Sequence, residues 1–152
     1  MVINNFNLII DIIDKENSSV VVLFEEAFSD MRVLLNEIKT YCKDKKVICE
    51  QAQNYLNEYA KNLIDKKENE YSRNLIDCDV MIIDDFQYFT NRTTSQKVFG
   101  EIILKREKPT VIFLSGECLT KNGFITDINK ILDNAIKFEI VETHKGREIK
   151  TI

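Results

Sequence analysis

Asp84 and Asp85 stand side by side at the end of an apolar run, in "CDVMIIDDFQYF", residues 78–89. Paired carboxylates at the carboxyl end of a buried strand can hold a hydrated magnesium ion, and the second can orient an attacking water. That is phosphoryl-transfer chemistry, and it needs a second element. A glycine-rich loop must turn its amide protons toward the phosphates, followed by a lysine and a hydroxyl. Acids also end apolar strands to face solvent or to cap a helix, so the pair alone does not define a site.

Other reactive side chains are sparse. Cys42, Cys49, Cys78 and Cys118 form no C-x-x-C pair, and the single histidine, His144, is remote from them in sequence. Structural zinc needs four converging ligands, so the cysteines read as buried thiols and no metal site is expected. Ser115 precedes Gly116 in "FLSGE" without forming a G-x-S-x-G elbow, and no acid is placed to orient His144 as its base. Lys105, Arg106 and Lys108 make a compact basic turn that could meet nucleic-acid phosphates or simply end a helix in solvent. Tyr55, Tyr59, Phe86, Tyr88, Phe89 and Phe99 could stack on bases, but their spacing suits core packing better.

The elements that must carry these residues alternate. Helical spacing in "NNFNLIIDIIDKEN" precedes a β-branched strand at about 19–24, then a helix from Ala27 to Tyr41. "VIC" is a brief second strand, and "EQAQNYLNEYAKNLIDKKENEY" reads as one helix whose charge run at 65–70 is its solvated end. Next come the strand "DVMIID", a helix over 95–106, the strand "TVIFL" after Pro109, a helix near 125–134 and a strand at 136–141. Several strands are too apolar to alternate, which requires cover on both faces. The pattern predicts an α/β three-layer sandwich with a mainly parallel five-stranded sheet, and Gly146 allows a C-terminal antiparallel hairpin.

Length and charge bound the reading further. The 152 residues fit one domain spanning 1–152, with 44% apolar and 30% charged side chains. A net charge of −4 argues against indiscriminate polyanion binding. No apolar run approaches the roughly 20 residues of a membrane span, and "MVINNFNLII" lacks a basic leader, so a cytoplasmic location is expected.

Residues 47–114, and above all the "IDD-x-Q-x-F" arrangement, resemble the nucleotide-binding AAA+ domain of the bacterial replication initiator DnaA and its relatives. The resemblance implies a P-loop NTPase core with strand order 5-1-4-3-2. It also implies an ATP site between the first strand, the Walker B strand carrying Asp84 and Asp85, and a separate helical lid. On this alignment the phosphate loop falls on "EEAFSDMR", residues 25–32, which contains no glycine. Met31 takes the place of the lysine, Arg32 that of the serine or threonine, and Asp30 that of the last glycine. Glu25, Glu26 and Asp30 would put three acids beside a triphosphate. The family's sensor position falls at Gly116 with Ser115 adjacent, and its arginine finger falls on Ile131, beside Lys130. Gln87 matches a family position without an assignable chemistry.

The expectation is therefore a degenerate DnaA-like core without lid or helix-turn-helix domain, with a vestigial Walker B and no bound cofactor. It would act as a structural or protein-interaction module linked to DNA replication or a mobile element, through an unidentified protein partner, without ATPase activity. Two alternatives stay open. One is a nucleotide-binding switch whose phosphate contacts come from Arg32 or a partner chain. The other is a weak single-stranded DNA-binding module using Lys105, Arg106 and Lys108.

Overall fold

A computed structural model describes residues 3–25, 32–115, 123–144 and 146–152, with only the backbone of Glu25 and Ser115. Three strands explain the architecture: β2 (Val20–Glu25), β4 (Val80–Asp84) and β5 (Thr110–Ser115). Successive side chains of a strand point to opposite faces. Val21 and Leu23 enter one apolar cluster while Val22 and Phe24 enter the other; Val80 and Ile82 divide from Met81 and Ile83 in the same way. Such strands need helices on both sides.

The helices supply that cover. On one face lie α1 (Asn7–Asp14) and α2 (Arg32–Tyr41), contributing Ile9, Ile13, Leu34 and Ile38. On the other lie α3 (Ala52–Ile64), α4 (Glu68–Asp77), α5 (Thr93–Lys105) and α6 (Thr126–Asn134), contributing Tyr55, Leu75, Phe99 and Ile128. Each such side chain, fully buried, is worth about 1.5–3 kcal/mol relative to exposure.

With β1 (Ile3–Asn4), β3 (Val47–Gln51), β6 (Ile136–Thr143) and β7 (Gly146–Thr151), the sheet has, among the described residues, seven strands in the order β1-β7-β6-β2-β5-β4-β3. Its five central and distal strands, β6-β2-β5-β4-β3, run parallel in the order that the family resemblance implied. The hairpin is present too: β7 returns antiparallel to β6, with Gly146 at φ 116°. β1 then extends the sheet beyond the expected five strands by pairing parallel to β7.

One expected helix is two. Lys66 adopts a left-handed φ of 57° after α3. The Lys67 N–H then donates to the Asn62 carbonyl oxygen at 2.7 Å and the Lys66 N–H to that of Leu63 at 3.2 Å. This double bond pattern closes a helix end, normally with glycine at the left-handed position. The charged stretch 65–70 is thus a break between helices, and Glu68 and Glu70 occupy the first turn of α4. The expected helix start at Ala27 lies outside the described residues, and α2 is described from Arg32.

Candidate functional site

Asp84 is the last residue of β4, half-buried after four buried neighbours. Its Oδ1 accepts the Asp85 N–H at 2.8 Å. Asp85 then turns left-handed at φ 54°, ψ 43°, and its carbonyl oxygen accepts the Tyr88 N–H at 2.9 Å. Aspartate tolerates this conformation better than most side chains because its short polar group bonds locally. Gln87 here gains a contact: its Nε2 donates to Asp85 Oδ1 at 3.3 Å.

The reversal has a packing cause. It starts a 3-10 turn, Phe86–Phe89, that drives Phe86 and Phe89 into the sheet face covered by α3 and α5. Phe89 stacks on Phe99 with centroids 5.1 Å apart, and Tyr55 meets Phe99 edge-on at 5.0 Å. The aromatic set is a core cluster, as its spacing suggested. Tyr88 stays half-buried, with the Arg92 guanidinium 4.4 Å from its ring centroid.

β5 separates the acids from the end of β2. The β2–β5 pairing continues to Glu25 and Ser115, whereas the β4–β5 pairing ends at Ile83 and Ile112. On its other side Asp84 is level with Gln51 of β3. Arg32 opens α2 and is exposed. Glu26, Asp30, Met31 and Gly116 lie outside the described residues, and only the backbones of Glu25 and Ser115 are described. The structure therefore joins Asp84, Asp85 and Gln87 in one bonded turn.

The structure places the three residues of the basic turn differently. Lys105 is exposed and Lys108 half-buried, but Arg106 is only 3% exposed. Its Nη1 donates to the carbonyl oxygens of Leu75 and Cys78, its Nη2 to that of Pro109 at 2.7 Å, and its Nε to Thr110 Oγ1 at 2.9 Å. Helix ends leave carbonyls without partners, and a five-donor guanidinium can satisfy several at once. Burial lowers the Arg106 pKa, and the adjoining Cys78 opposes that shift. Arg106 is thus a buried clasp, its donors spent on backbone carbonyls and Thr110. Lys108 lies near Glu16, whose carboxyl is held below its ordinary pKa first by Lys45 at 2.8 Å and then by Lys108.

Burial raises the pKa values of the Cys42, Cys49 and Cys78 thiols, the direction that disfavours the reactive thiolate; Cys118 lies outside the described residues. His144 is exposed at the β6–β7 turn. Ile131 is buried in the aliphatic core and Lys130 is exposed beside it. Among the described residues no three His, Cys, Asp or Glu side chains are placed to share a metal, and no helix is long and apolar enough to cross a membrane.

Gln96 is a residue that sequence reasoning missed. It is 1% exposed, its Nε2 donates to the carbonyl oxygens of Phe89 and Gly123 at 2.7 Å, and its Oε1 accepts the Ile125 N–H at 2.7 Å. It fixes the turn after the acids to the loop before α6. A lone glutamine in the polar stretch "TTSQK" gives no sequence signal of this.

Residues 29–122 match the family described as the bacterial DnaA ATPase domain. The chain is 30% identical over 117 residues to the chromosomal replication initiator protein DnaA of Buchnera aphidicola subsp. Cinara cedri, covering 72% of this chain and 25% of that protein. It is 26% identical over 104 residues to the same initiator of Campylobacter fetus subsp. fetus, covering 60% of this chain and 24% of that one. The chain thus spans about a quarter of the length of these relatives. Among solved structures, a DNA replication initiation factor aligns over 91% of this chain and 46% of its own, with TM-score 0.82 and 16% identity. Replication initiator DnaA bound to AMPPCP and single-stranded DNA aligns over 92% and 46%, with TM-score 0.78 and 15% identity. Domain III of Thermotoga maritima DnaA aligns over 92% and 62%, with TM-score 0.75 and 14% identity. At these identities the structural likeness establishes a shared fold.

Proposed function

The chain belongs to the bacterial DnaA ATPase-domain family, and on that premise we propose that it works without ATP, as a protein-interaction core in DNA replication or in a mobile element that uses it. The carrying observation is the amino-acid sequence "EEAFSDMR", residues 25–32, which begins with the last residue of β2. Without glycine, successive amides cannot all turn inward around phosphates, because side-chain-bearing residues resist the required conformations. Met31 offers no charge to the β- and γ-phosphates, and the donors of Arg32 cannot ligate magnesium. Glu25, Glu26 and Asp30 would repel a triphosphate; two like charges 4 Å apart oppose each other by about 4 kcal/mol at an effective dielectric near 20.

The residues present do not fit Mg-ATP. Asp84 and Asp85 keep the acidic half of such a site, but magnesium is ordinarily held by one or two carboxylates together with substrate phosphates. Asp84 Oδ1 and Asp85 Oδ1 instead close the local turn, with the Asp85 N–H and with Gln87. In this reading the acids end β4 and shape the turn that seats Phe86 and Phe89.

A nucleotide switch would need phosphate contacts beyond Arg32. A single-strand role is the weaker alternative: a related initiator is bound to single-stranded DNA, but the basic turn here keeps only Lys105 and Lys108 at its surface.

The test is recovery of partners. Tagged chain, purified from its native cell and weighed as intact complexes, should carry the same partners as the Asp84→Ala/Asp85→Ala variant, with or without ATP depletion. Loss of the partners in either condition would reject nucleotide-independent interaction.

A further inference from the structure

Tyrosines and glutamates gather where α3 packs against β3 and α4. Tyr55 is the centre of a stack: its ring centroid lies 6.0 Å from that of Tyr59 and 5.9 Å from that of Tyr71, at 25° and 26° between planes. Tyr55 is fully buried, yet neither its hydroxyl nor that of Tyr71 has a hydrogen-bond partner among the described residues. Acids stand close to these hydroxyls. After burial, the charges of Glu50 and Glu58 raise the Tyr71 pKa, and Tyr71 and Tyr59 raise that of Tyr55. Glu68 precedes Tyr71 by one turn on the same face of α4, and its Oε2 is buried without a partner among the described residues.

The chain alone holds this cluster at a cost. Burial, then Glu58, raises the pKa of Glu50. Neither Glu50, Glu58 nor Glu68 makes an ion pair among the described residues. Buried carboxylates are ordinarily paired and buried phenols ordinarily bonded. The complement of such a site is positive, offers several hydrogen bonds and accepts ring faces. Guanidinium meets all three demands, with its donors in a planar fork that also stacks on tyrosine. A metal ion does not fit, because among the described residues no three His, Cys, Asp or Glu side chains are placed to share one. Phosphates would be repelled by the carboxylates. The open sheet edge selects the source. Glu50 belongs to β3, the last strand, which pairs only with β4 among the described residues. An extended segment of another protein can approach that edge and lay a side chain beside Glu50. Resting on the protein-interaction reading above, we propose that Glu50 and Glu58 form a receptor for an arginine of the partner protein, with the tyrosine stack as its floor.

NMR of the 152-residue chain, titrated with N-acetyl-arginine amide, tests this. The expected result is saturable shifts at Glu50, Glu58, Tyr59 and Tyr71 with a Kd of about 1 mM. N-acetyl-lysine amide should bind about fivefold more weakly, and N-acetyl-citrulline amide, planar but uncharged, roughly tenfold more weakly. Glu50→Gln/Glu58→Gln should weaken arginine binding by roughly tenfold and leave Tm unchanged or raised, because it removes unpaired like charges. A merely structural pair would lower Tm instead. Complexes recovered from the native cell should lose the partner in this variant. Partner loss on ATP depletion, with arginine binding intact, would reject the nucleotide-independent reading and leave the receptor standing. No saturable shift, citrulline as tight as arginine, spermidine tighter than arginine, or partners retained by Glu50→Gln/Glu58→Gln would overturn the proposal.

Discussion

Arg106 Nη1 donates to the Cys78 carbonyl oxygen at 3.1 Å, fastening the end of α5 to the end of α4. Further donors of the same guanidinium reach Leu75, Pro109 and Thr110. Several buried acceptors therefore depend on one side chain. Arg106→Ala is expected to destabilise the fold by roughly 3 kcal/mol, since each abandoned buried acceptor carries a desolvation penalty. Arg106→Lys should recover less than half of that, because an ammonium lacks the planar fork. Urea unfolding measures both, and an unchanged midpoint in Arg106→Ala would show the clasp to be idle.

Tyr55 gives the opposite kind of prediction. It is 1% exposed, and its hydroxyl has no hydrogen-bond partner among the described residues. Burial first, then the neighbouring Tyr71 and Tyr59, pushes its pKa above the ordinary value of 10.0. Tyr71 is raised likewise, by burial first and then by Glu50 and Glu58. The unfolded chain ionises these phenols near pH 10 while the folded chain keeps them neutral. Their contribution to stability is thus intact below pH 10 and falls as pH rises beyond it, by up to about 1.4 kcal/mol per pH unit for each phenol. Tyr55→Phe should leave stability at pH 7 unchanged or raised by up to about 1 kcal/mol. It should also flatten the alkaline limb of a pH series of urea midpoints. A loss above about 2 kcal/mol at pH 7 would reveal a hydroxyl contact that matters.

Lys66 holds the left-handed position between α3 and α4 at φ 57°. An L side chain there carries a steric cost that glycine avoids. Lys66→Gly should stabilise the protein by about 0.5 kcal/mol, and Lys66→Val should destabilise it by about 1 kcal/mol. Thermal unfolding of the two variants should move in opposite directions. The same sign for both would mean that the break does not depend on this conformation.

The strands were legible because each carries its own evidence. "VVVLF", "VMII" and "TVIFL" are too apolar to have a wet face, and the structure covers both faces of all three. Their order came from the family resemblance, since nothing in a strand's residues names its neighbours. The break at Lys66 was hidden because the chain marks it with charges in place of glycine or proline. β1 was hidden by its length of two residues. Arg106 misled for a physical reason: "KREK" is as charged as any solvated helix end. Whether its arginine turns inward depends on carbonyls at residues 75–78, which only the fold brings near. At the site, the paired acids were legible and their bonded turn was not, because the left-handed Asp85 follows from where Phe86 and Phe89 must pack.

Isothermal titration calorimetry of Mg-ATP into the chain tests the nucleotide-independent assignment most directly. The expected result is no saturable heat up to roughly 1 mM ligand, where the binding free energy would be only about −4 kcal/mol, for the wild type and Asp84→Ala alike. Micromolar binding that Asp84→Ala abolishes would contradict the assignment.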